Sequence, residues 1–232
     1  SVFNFNVTHE SNIWKSETNY SAKELENVQI PNFLPENSKI KSDFITNYKN
    51  IEKLDEQIGV IINQLKEDDL YDNTIIFFFS DHGGPFPRYK RSIYETGLRV
   101  PMIAKWINDK NRGNNYQLVS FVDFAPTVLD AANLKREFSF EGVSFFKKNN
   151  RSYVYAASDR FDEATDIRRS ISDGKFKLIY NGDTSSPVYK SVRYRKQMQT
   201  MQVLDSLEKN NELNNFFSDW FSKRKNRFEL YE

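Results

Sequence analysis

The sequence TIIFFFSDHGG occupies residues 74–84 and follows a long helix-like segment. Residues 74–79 form a continuous apolar run, which is typical of a strand that is covered on both faces. A helix that leads into such a strand predicts the βαβ arrangement of a parallel sheet. Ligands of parallel sheets bind at the carboxyl ends of the strands. Because Asp81 and His82 follow this run directly, we expect a ligand site there.

The segments upstream of this run are one predicted helix and one predicted strand. Residues 38–69 repeat apolar side chains at steps of three and four, which predicts a single amphipathic helix. We expect Ser42 and Asp43 to cap or charge its start. Residues 2–8 alternate apolar and polar side chains and predict a strand, and residues 15–37 are interpreted as a long polar connection.

The downstream half changes in character near residue 149. Before that point, patterning predicts strands at 99–106 and 118–121, a loop at 110–115 and a helix at 123–134. After it, strands at 153–157 and within 169–180, with a turn at Asp173-Gly174, predict a small antiparallel sheet. We therefore predict an α/β fold. A mixed sheet with flanking helices spans residues 1–148, and a small α+β subdomain, incomplete at its end, spans residues 149–232.

Composition excludes several classes of protein and of site. The 232 residues include 33 basic and 32 acidic side chains, so the net charge of +1 argues against a nucleic-acid partner. No apolar run approaches the roughly 20 residues of a membrane span, so none is predicted. The chain contains no cysteine, which excludes disulfides and thiolate ligands within it. It opens within a strand-like segment and without a signal peptide, so we expect a fragment of a longer protein.

Four residues are candidates for chemistry. His9 and His82, the two histidines of the chain, each follow a predicted strand, although an exposed bystander is the simpler interpretation of either alone. Asp81 is either a cap or a cation ligand, and calcium would need roughly six to eight oxygen ligands, most of them from elsewhere. Lys90 could neutralise charge on a tetrahedral anion. We interpret the neighbouring arginines as ordinary surface charge: Arg88 and Arg91.

Five ordered segments resemble the type I sulfatases of the alkaline phosphatase superfamily, and within them the heparan N-sulfatase-like branch. They are NVTHESNIW (6–14), IIFFFSDHGG (75–84), KRSIYETGLRVP (90–101), VDFAPTVLD (122–130) and ISDGKFKLIY (171–180). The resemblance implies an alkaline-phosphatase-like mixed sheet and the hydrolysis of a sulfate ester or sulfamate. It also implies a sulfated carbohydrate substrate, such as a glycosaminoglycan, and a periplasmic or secreted location.

The resemblance also implies roles for the four candidates. Asp81 would be a calcium ligand, and His82 would occupy the adjacent ligand position or contact the bound anion. Lys90 would bind the sulfate and its bridging oxygen, and His9 would contact the sulfate or protonate the departing oxygen. Calcium and a formylglycine nucleophile are the cofactors that the family implies.

This chain departs from the family pattern in three ways. The C/S-x-P-S-R motif that carries the formylglycine, and the pair of aspartates that completes the metal site, are absent from these residues and expected upstream. Thr96 replaces a glycine that is common in the lysine motif. The last four residues resemble the start of a closing E-L-Y-D-L motif, so we expect that end to be cut as well.

The missing motif leaves three functional interpretations. In the first, the parent protein is a sulfatase, and this piece alone is inactive. In the second, it is a phosphodiesterase or phosphonate hydrolase of the same superfamily. In the third, the chain is a non-catalytic module that binds an anionic glycan.

Overall fold

The computed structural model describes residues 1–107, 113–135, 138–146 and 151–232. Two compact units divide the chain. Unit 1 comprises Ser1–Lys110, Phe161–Ala164 and Ser185–Arg224, and unit 2 comprises Asn111–Arg160, Thr165–Thr184 and Lys225–Glu232. The predicted boundary at 148/149 and part of the predicted loop at 110–115 lie outside the described residues, and the boundary stays a prediction.

The described chain contains seven α-helices and six strands. In order they are α1 (Ser11–Lys15), α2 (Ala22–Asn27), α3 (Ser38–Glu67), β1 (Ile76–Phe79), α4 (Glu95–Leu98), β2 (Met102–Lys105), α5 (Phe124–Ala131), β3 (Val154–Phe161), β4 (Ala164–Ser172), β5 (Lys177–Asn181), α6 (Gln199–Lys209), α7 (Asn215–Ser222) and β6 (Phe228–Tyr231). None of these helices is both long and apolar enough to cross a membrane.

Helix α3 confirms the predicted long helix but begins differently. The Asn37 side chain caps it by accepting the Lys39 N–H at 2.9 Å. Ser42 and Asp43 lie in the second turn and are buried, so their predicted role at the start of the helix is wrong. Their burial follows from position, because they share the face of α3 that packs into unit 1.

Helix α2 interrupts the segment that was predicted to be a connection. Ser21 and Glu24 form a reciprocal capping box at its start. Glu24 also pairs with Lys49 of α3 at 2.8 Å. The S-x-x-E spacing was a readable signal for a helix start, and the two prolines of the segment obscured it.

Strands β1 and β2 form a two-stranded antiparallel pair, with Ile76 opposite Lys105 and Phe79 opposite Met102. The parallel pairing predicted for β1 is therefore wrong for its pairing with β2. The predicted strand at 2–8 is wrong as well, because these residues pair with none of the strands in the described part of the chain, and Val2 and Phe3 are 87% and 59% exposed.

The predicted strand at 118–121 is also wrong. This segment is irregular and ends in a single 3₁₀ turn, Phe121–Asp123, directly before α5. Thr127 in α5 donates its hydroxyl to the Asp123 carbonyl at 2.6 Å. The helix predicted at 123–134 is confirmed over a shorter range, with Pro126 in its first turn.

Apolar side chains from six segments form the core of unit 1. The Phe44 ring of α3 stacks on Phe86 with their centroids 3.8 Å apart. The cluster also draws on α1, α6 and α7 and comprises Ile13, Leu34, Ile40, Phe44, Phe86, Met198, Met201, Val203, Leu204, Phe217 and Trp220. Helices α6 and α7 are therefore part of this core.

Unit 2 contains most of a four-stranded sheet in the order β3-β4-β5-β6. β4 pairs antiparallel with β5, and β5 pairs antiparallel with β6. Asp173 accepts the N–H groups of Lys175 and Phe176, and Gly174 has a φ of +92°, so this segment makes the turn between β4 and β5. The predicted antiparallel sheet is confirmed.

Candidate active site

The loop between β1 and β2 is closed by contacts between backbone groups. The Gly83 N–H donates to the Gly97 carbonyl at 2.9 Å, and the Lys90 N–H donates to the Gly84 carbonyl at 2.9 Å. A Cβ atom at Gly83 would lie 1.8 Å from the Thr96 carbonyl oxygen, so only glycine fits there. The loop is thereby folded back on itself and carries three of the four predicted site residues.

Asp81 and His82 place two metal-binding groups side by side. The Nδ1 atom of His82 lies 2.7 Å from the Gly83 carbonyl oxygen, so it carries a proton and donates it. The other ring nitrogen, Nε2, lies 3.6 Å from an Asp81 carboxylate oxygen. The Asp81 side chain is 86% exposed and open to a ligand. No set of three or more metal-binding side chains occurs in the part of the chain that is described.

His9 lies on the turn that precedes α1 and is held by Ser11. Nδ1 of His9 lies 2.9 Å from the Ser11 hydroxyl oxygen and 3.3 Å from the Ser11 backbone nitrogen. The hydroxyl can donate to Nδ1 of a neutral ring and can accept from Nδ1–H of a charged ring. The Ser11 backbone N–H donates to the same Nδ1, which places the proton of the neutral ring on Nε2 and leaves Nε2 for chemistry.

Several neighbouring groups shift the pKa of His9. Burial lowers this pKa below its ordinary value, and the Lys90 ammonium lowers it further. The Glu10 carboxylate opposes them, and smaller lowering effects come from His82 and Arg91. His9 therefore shares one electrostatic environment with two of the predicted residues of the β1–β2 loop.

A buried carboxylate, Glu10, lies at the centre of this environment. Arg91 donates to both of its oxygens at 2.9 Å, and the Lys90 ammonium lies 3.0 Å from one of them. Burial alone would raise the pKa of Glu10, but the hydrogen bonds from Arg91 and Lys90 hold it below its ordinary value. Arg91 also donates from Nε to Asp162 at 2.5 Å.

Two interpretations of the arginines are therefore corrected. Arg91 is not ordinary surface charge, because its side chain is only 11% exposed and pairs with two carboxylates. The Arg88 guanidinium lies 4.4 Å from the centroid of the Tyr94 ring and 4.5 Å from that of Phe216, which is the geometry of cation–π contact. Both guanidinium groups pack within unit 1.

Sequence reasoning missed Glu10. Its signal was weak, because an acidic residue in a polar loop is usually solvated. The adjacent cations Lys90 and Arg91 were the available hint, since two neighbouring positive charges near a folded loop need a counter-charge. All four predicted residues lie in unit 1: Asp81, His82 and Lys90 in the loop, and His9 beside the Glu10 carboxylate that Lys90 contacts. Their catalytic roles stay predictions.

Known families match most of the chain. Residues 3–134 match the family described as Sulfatase, and residues 86–227 match the one described as N-sulphoglucosamine sulphohydrolase, C-terminal. An ulvan-active sulfatase of Formosa agariphila is 40% identical over 99% of this chain and 39% of its own length. The human N-sulphoglucosamine sulphohydrolase is 27% identical over 44% of this chain and 21% of its own length. The chain thus spans well under half of these relatives.

Solved structures agree with this assignment. A protein in complex with its substrate D-glucosamine-2-N,6-O-disulfate has a TM-score of 0.53 and 25% identity, over 75% of this chain and 41% of that one. A phosphonate monoester hydrolase from Silicibacter pomeroyi has a TM-score of 0.54 at 16% identity, which shows the fold alone. The predicted alkaline-phosphatase-like α/β fold is confirmed, and since the first family match covers more than half of the residues, the chain belongs to the sulfatase family.

Proposed function

We propose that the protein to which this chain belongs is a sulfatase that removes sulfate from a sulfated sugar. The observation that carries the proposal is the site in unit 1, where Lys90 and His9 lie around one buried carboxylate. Family membership supports the reaction class. The sulfated sugar is supported by the relative that is named as ulvan-active and by the neighbour solved with a disulfated glucosamine.

The residues of this chain can divide the work on the sulfate group. The Lys90 ammonium would neutralise negative charge that grows on the sulfate and bridging oxygens as the sulfur–oxygen bond breaks. His9 in its charged form would donate the Nε2 proton to the departing sugar oxygen. Meanwhile the Ser11 hydroxyl would accept from its Nδ1–H. A lowered pKa makes the charged His9 a stronger acid once it has been protonated.

The proposal includes calcium and formylglycine, and this chain supplies part of the calcium site and lacks the formylglycine motif. Asp81 offers an exposed carboxylate, which suits calcium, and His82 offers a nitrogen, which suits it less. One carboxylate falls far short of roughly six to eight oxygen ligands, so the other ligands would come from outside these residues. When bound, the ion would offset charge on the sulfate oxygens, and formylglycine would supply the nucleophile.

We also propose that the 232 residues alone are inactive, and that the parent protein is periplasmic or secreted. The nucleophile motif is absent from this sequence, so turnover would need the longer protein. Turnover by the purified 232-residue chain would contradict the first point. Fractionation of the producing cells would test the second, since activity confined to the cytoplasm would contradict it.

The test is sulfate release by the full-length protein from sulfated oligosaccharides. Replacing Lys90 by alanine should lower kcat/KM by about 100- to 1,000-fold, since one charge-stabilising group is lost. Replacing Lys53, an exposed lysine on α3, by alanine should leave the rate unchanged and controls for loss of positive charge. Equal rates for the two variants would contradict the proposal.

The same protein preparations separate the other two interpretations. Faster release from a phosphate diester or a phosphonate ester than from any sulfate ester would favour the hydrolase alternative. Calorimetry of the 232-residue chain with a sulfated oligosaccharide would test the glycan-binding module. Tight binding by the chain, together with no turnover by the full-length protein, would favour that module.

A further inference from the structure

The contact between Lys90 and Glu10 is more than an incidental surface ion pair. The Glu10 side chain is fully buried, and the Lys90 side chain is only 17% exposed. A lysine has four rotatable bonds and a mobile charge, so its ammonium is well placed only when something fixes its end. The Glu10 oxygen at 3.0 Å from Nζ is such a fixed point.

Arg91 in turn fixes Glu10. Its guanidinium makes two parallel hydrogen bonds to the Glu10 carboxylate, both 2.9 Å long, which sets the carboxylate plane as well as its position. The third nitrogen, Nε, donates to Asp162 at 2.5 Å. Hydrogen bonds therefore hold all three guanidinium nitrogens of Arg91, and the Glu10 carboxylate cannot rotate without breaking two of them.

The backbone is bent so that consecutive residues reach one carboxylate. Neighbouring side chains in an extended segment point to opposite sides. Lys90 and Arg91 nevertheless meet the same Glu10, and the backbone of Arg91 has a φ of +65°, in the left-handed region that residues other than glycine rarely adopt. The contacts of Arg91 alone would fix the loop to Glu10. The additional contact between Lys90 and Glu10 therefore indicates a separate role for this lysine.

We propose that Glu10 is a positioning residue, whose buried carboxylate holds the Lys90 ammonium where it meets the sulfate group. Glu10 itself does not touch substrate and acts through Lys90. The inference rests on the proposed function, because Lys90 is the charge-stabilising group of that function. The hydrogen bonds from Arg91 and Lys90 hold the pKa of Glu10 below its ordinary value, so the carboxylate stays ionised while it holds the lysine.

The test compares two variants of Glu10 in the full-length protein. Glu10→Gln keeps the shape but removes the charge, and it should lower kcat by about 100-fold with a smaller change in KM, since a misplaced catalytic group costs about that much. Glu10→Asp keeps the charge on a shorter side chain and should recover part of the rate. Asp43→Asn, which neutralises another buried carboxylate of unit 1, is the matched control and should keep the wild-type rate.

Two magnetic resonance readouts in the 232-residue chain report positioning without turnover. The protons of the Lys90 ammonium should be protected from exchange in the wild-type chain and should exchange freely in Glu10→Gln. The chain has only two histidines, so the His9 ring is easily assigned. The pKa of His9 should fall further in Glu10→Gln, because the variant removes the charge that raises it.

The outcomes separate this inference from the proposed function. If Lys90→Ala abolishes sulfate release while folded Glu10→Gln keeps the wild-type kcat, the inference is wrong and the proposed function stands. If the wild-type full-length protein releases no sulfate, the proposed function fails and the inference falls with it. Circular dichroism melting of each variant identifies loss of folding, and Glu10→Asp carries the test if Glu10→Gln does not fold.

Discussion

Two buried carboxylates of unit 1 shift their pKa values in opposite directions, because their partners differ. Glu10 is surrounded by the cations Lys90 and Arg91, and these outweigh the effect of burial. Asp43 accepts the backbone N–H and the hydroxyl of Thr200, each at 2.7 Å, with no cation in these contacts. Burial therefore raises the pKa of Asp43 to about 6, against the two hydrogen bonds, which lower it.

The raised pKa of Asp43 predicts stability that declines as the pH rises. The folded state binds this proton more tightly than the unfolded state, whose pKa is near 3.8. The free energy of unfolding should therefore fall between pH 4 and pH 6, by up to about 3 kcal/mol, and this contribution should change little above pH 7. Urea unfolding of the chain at a series of pH values measures this slope.

Replacing Asp43 by asparagine isolates its share of that slope. The asparagine amide oxygen can still accept both Thr200 donors, so the hydrogen bonds from the start of α6 are kept. The variant should lose the decline between pH 4 and pH 6 and should be the more stable chain at pH 8. An unchanged slope in Asp43→Asn would assign the pH dependence to other groups.

At the level of elements, the β1–β2 loop depends on one glycine. A Cβ atom at Gly83 would meet the Thr96 carbonyl group at 1.8 Å from its oxygen, and backbone atoms cannot move aside as a flexible side chain can. Gly83→Ala should therefore lower the free energy of unfolding by at least about 2 kcal/mol. It should also disturb Lys90, whose N–H is bonded to the adjacent Gly84.

Gly59 in α3 is the matched control for this change. A Cβ atom there has no atom within 4 Å, and alanine favours a helix more than glycine does. Gly59→Ala should raise the free energy of unfolding by about 0.5–1 kcal/mol. Thermal melts of the two variants give the comparison. Similar losses of stability in both variants would show that the close approach to Thr96 is not what destabilises Gly83→Ala.

Elements with a long periodic signal were predictable from sequence, whereas short contacts were not. The 3.6-residue repeat of α3 gave its range to within two residues, because many apolar positions report the same face. The strand predicted at 2–8 failed because alternation over a few residues says nothing about whether a partner strand lies beside it. Glu10 was missed because its partner Arg91 is 81 residues away in sequence.

At the scale of the whole molecule, the sheet of unit 2 carries polar side chains on its buried side and apolar side chains on its exposed side. Its buried side carries polar residues: the Asn181 side chain accepts from Arg168 at 2.7 Å and donates to Glu229 at 2.5 Å. Lys225 and Asp166 form a second buried pair, 2.5 Å apart. Buried ion pairs add specificity more readily than stability, so this side contributes less stabilisation than an apolar core of equal area.

The opposite side of the same sheet exposes apolar residues. Leu178 on β5 is opposite Leu230 on β6, and Tyr180 is opposite Phe228, with the last two rings 5.5 Å apart. These four side chains are 40%, 69%, 39% and 60% exposed, respectively. A contiguous apolar patch of this kind promotes association, so the 232-residue chain should self-associate as its concentration rises.

Sedimentation velocity across a concentration series tests this last prediction. Leu230→Lys places a charge within the patch and should hold the chain as a monomer at concentrations where the wild-type chain associates. The free energy of unfolding should change by no more than about 0.5 kcal/mol, since the side chain is exposed. Asn63→Lys adds the same charge at an exposed position of α3 and should leave association unchanged. If Leu230→Lys and Asn63→Lys reduce association equally, the net charge of the chain controls association. The apolar face of the sheet is then not the cause of association.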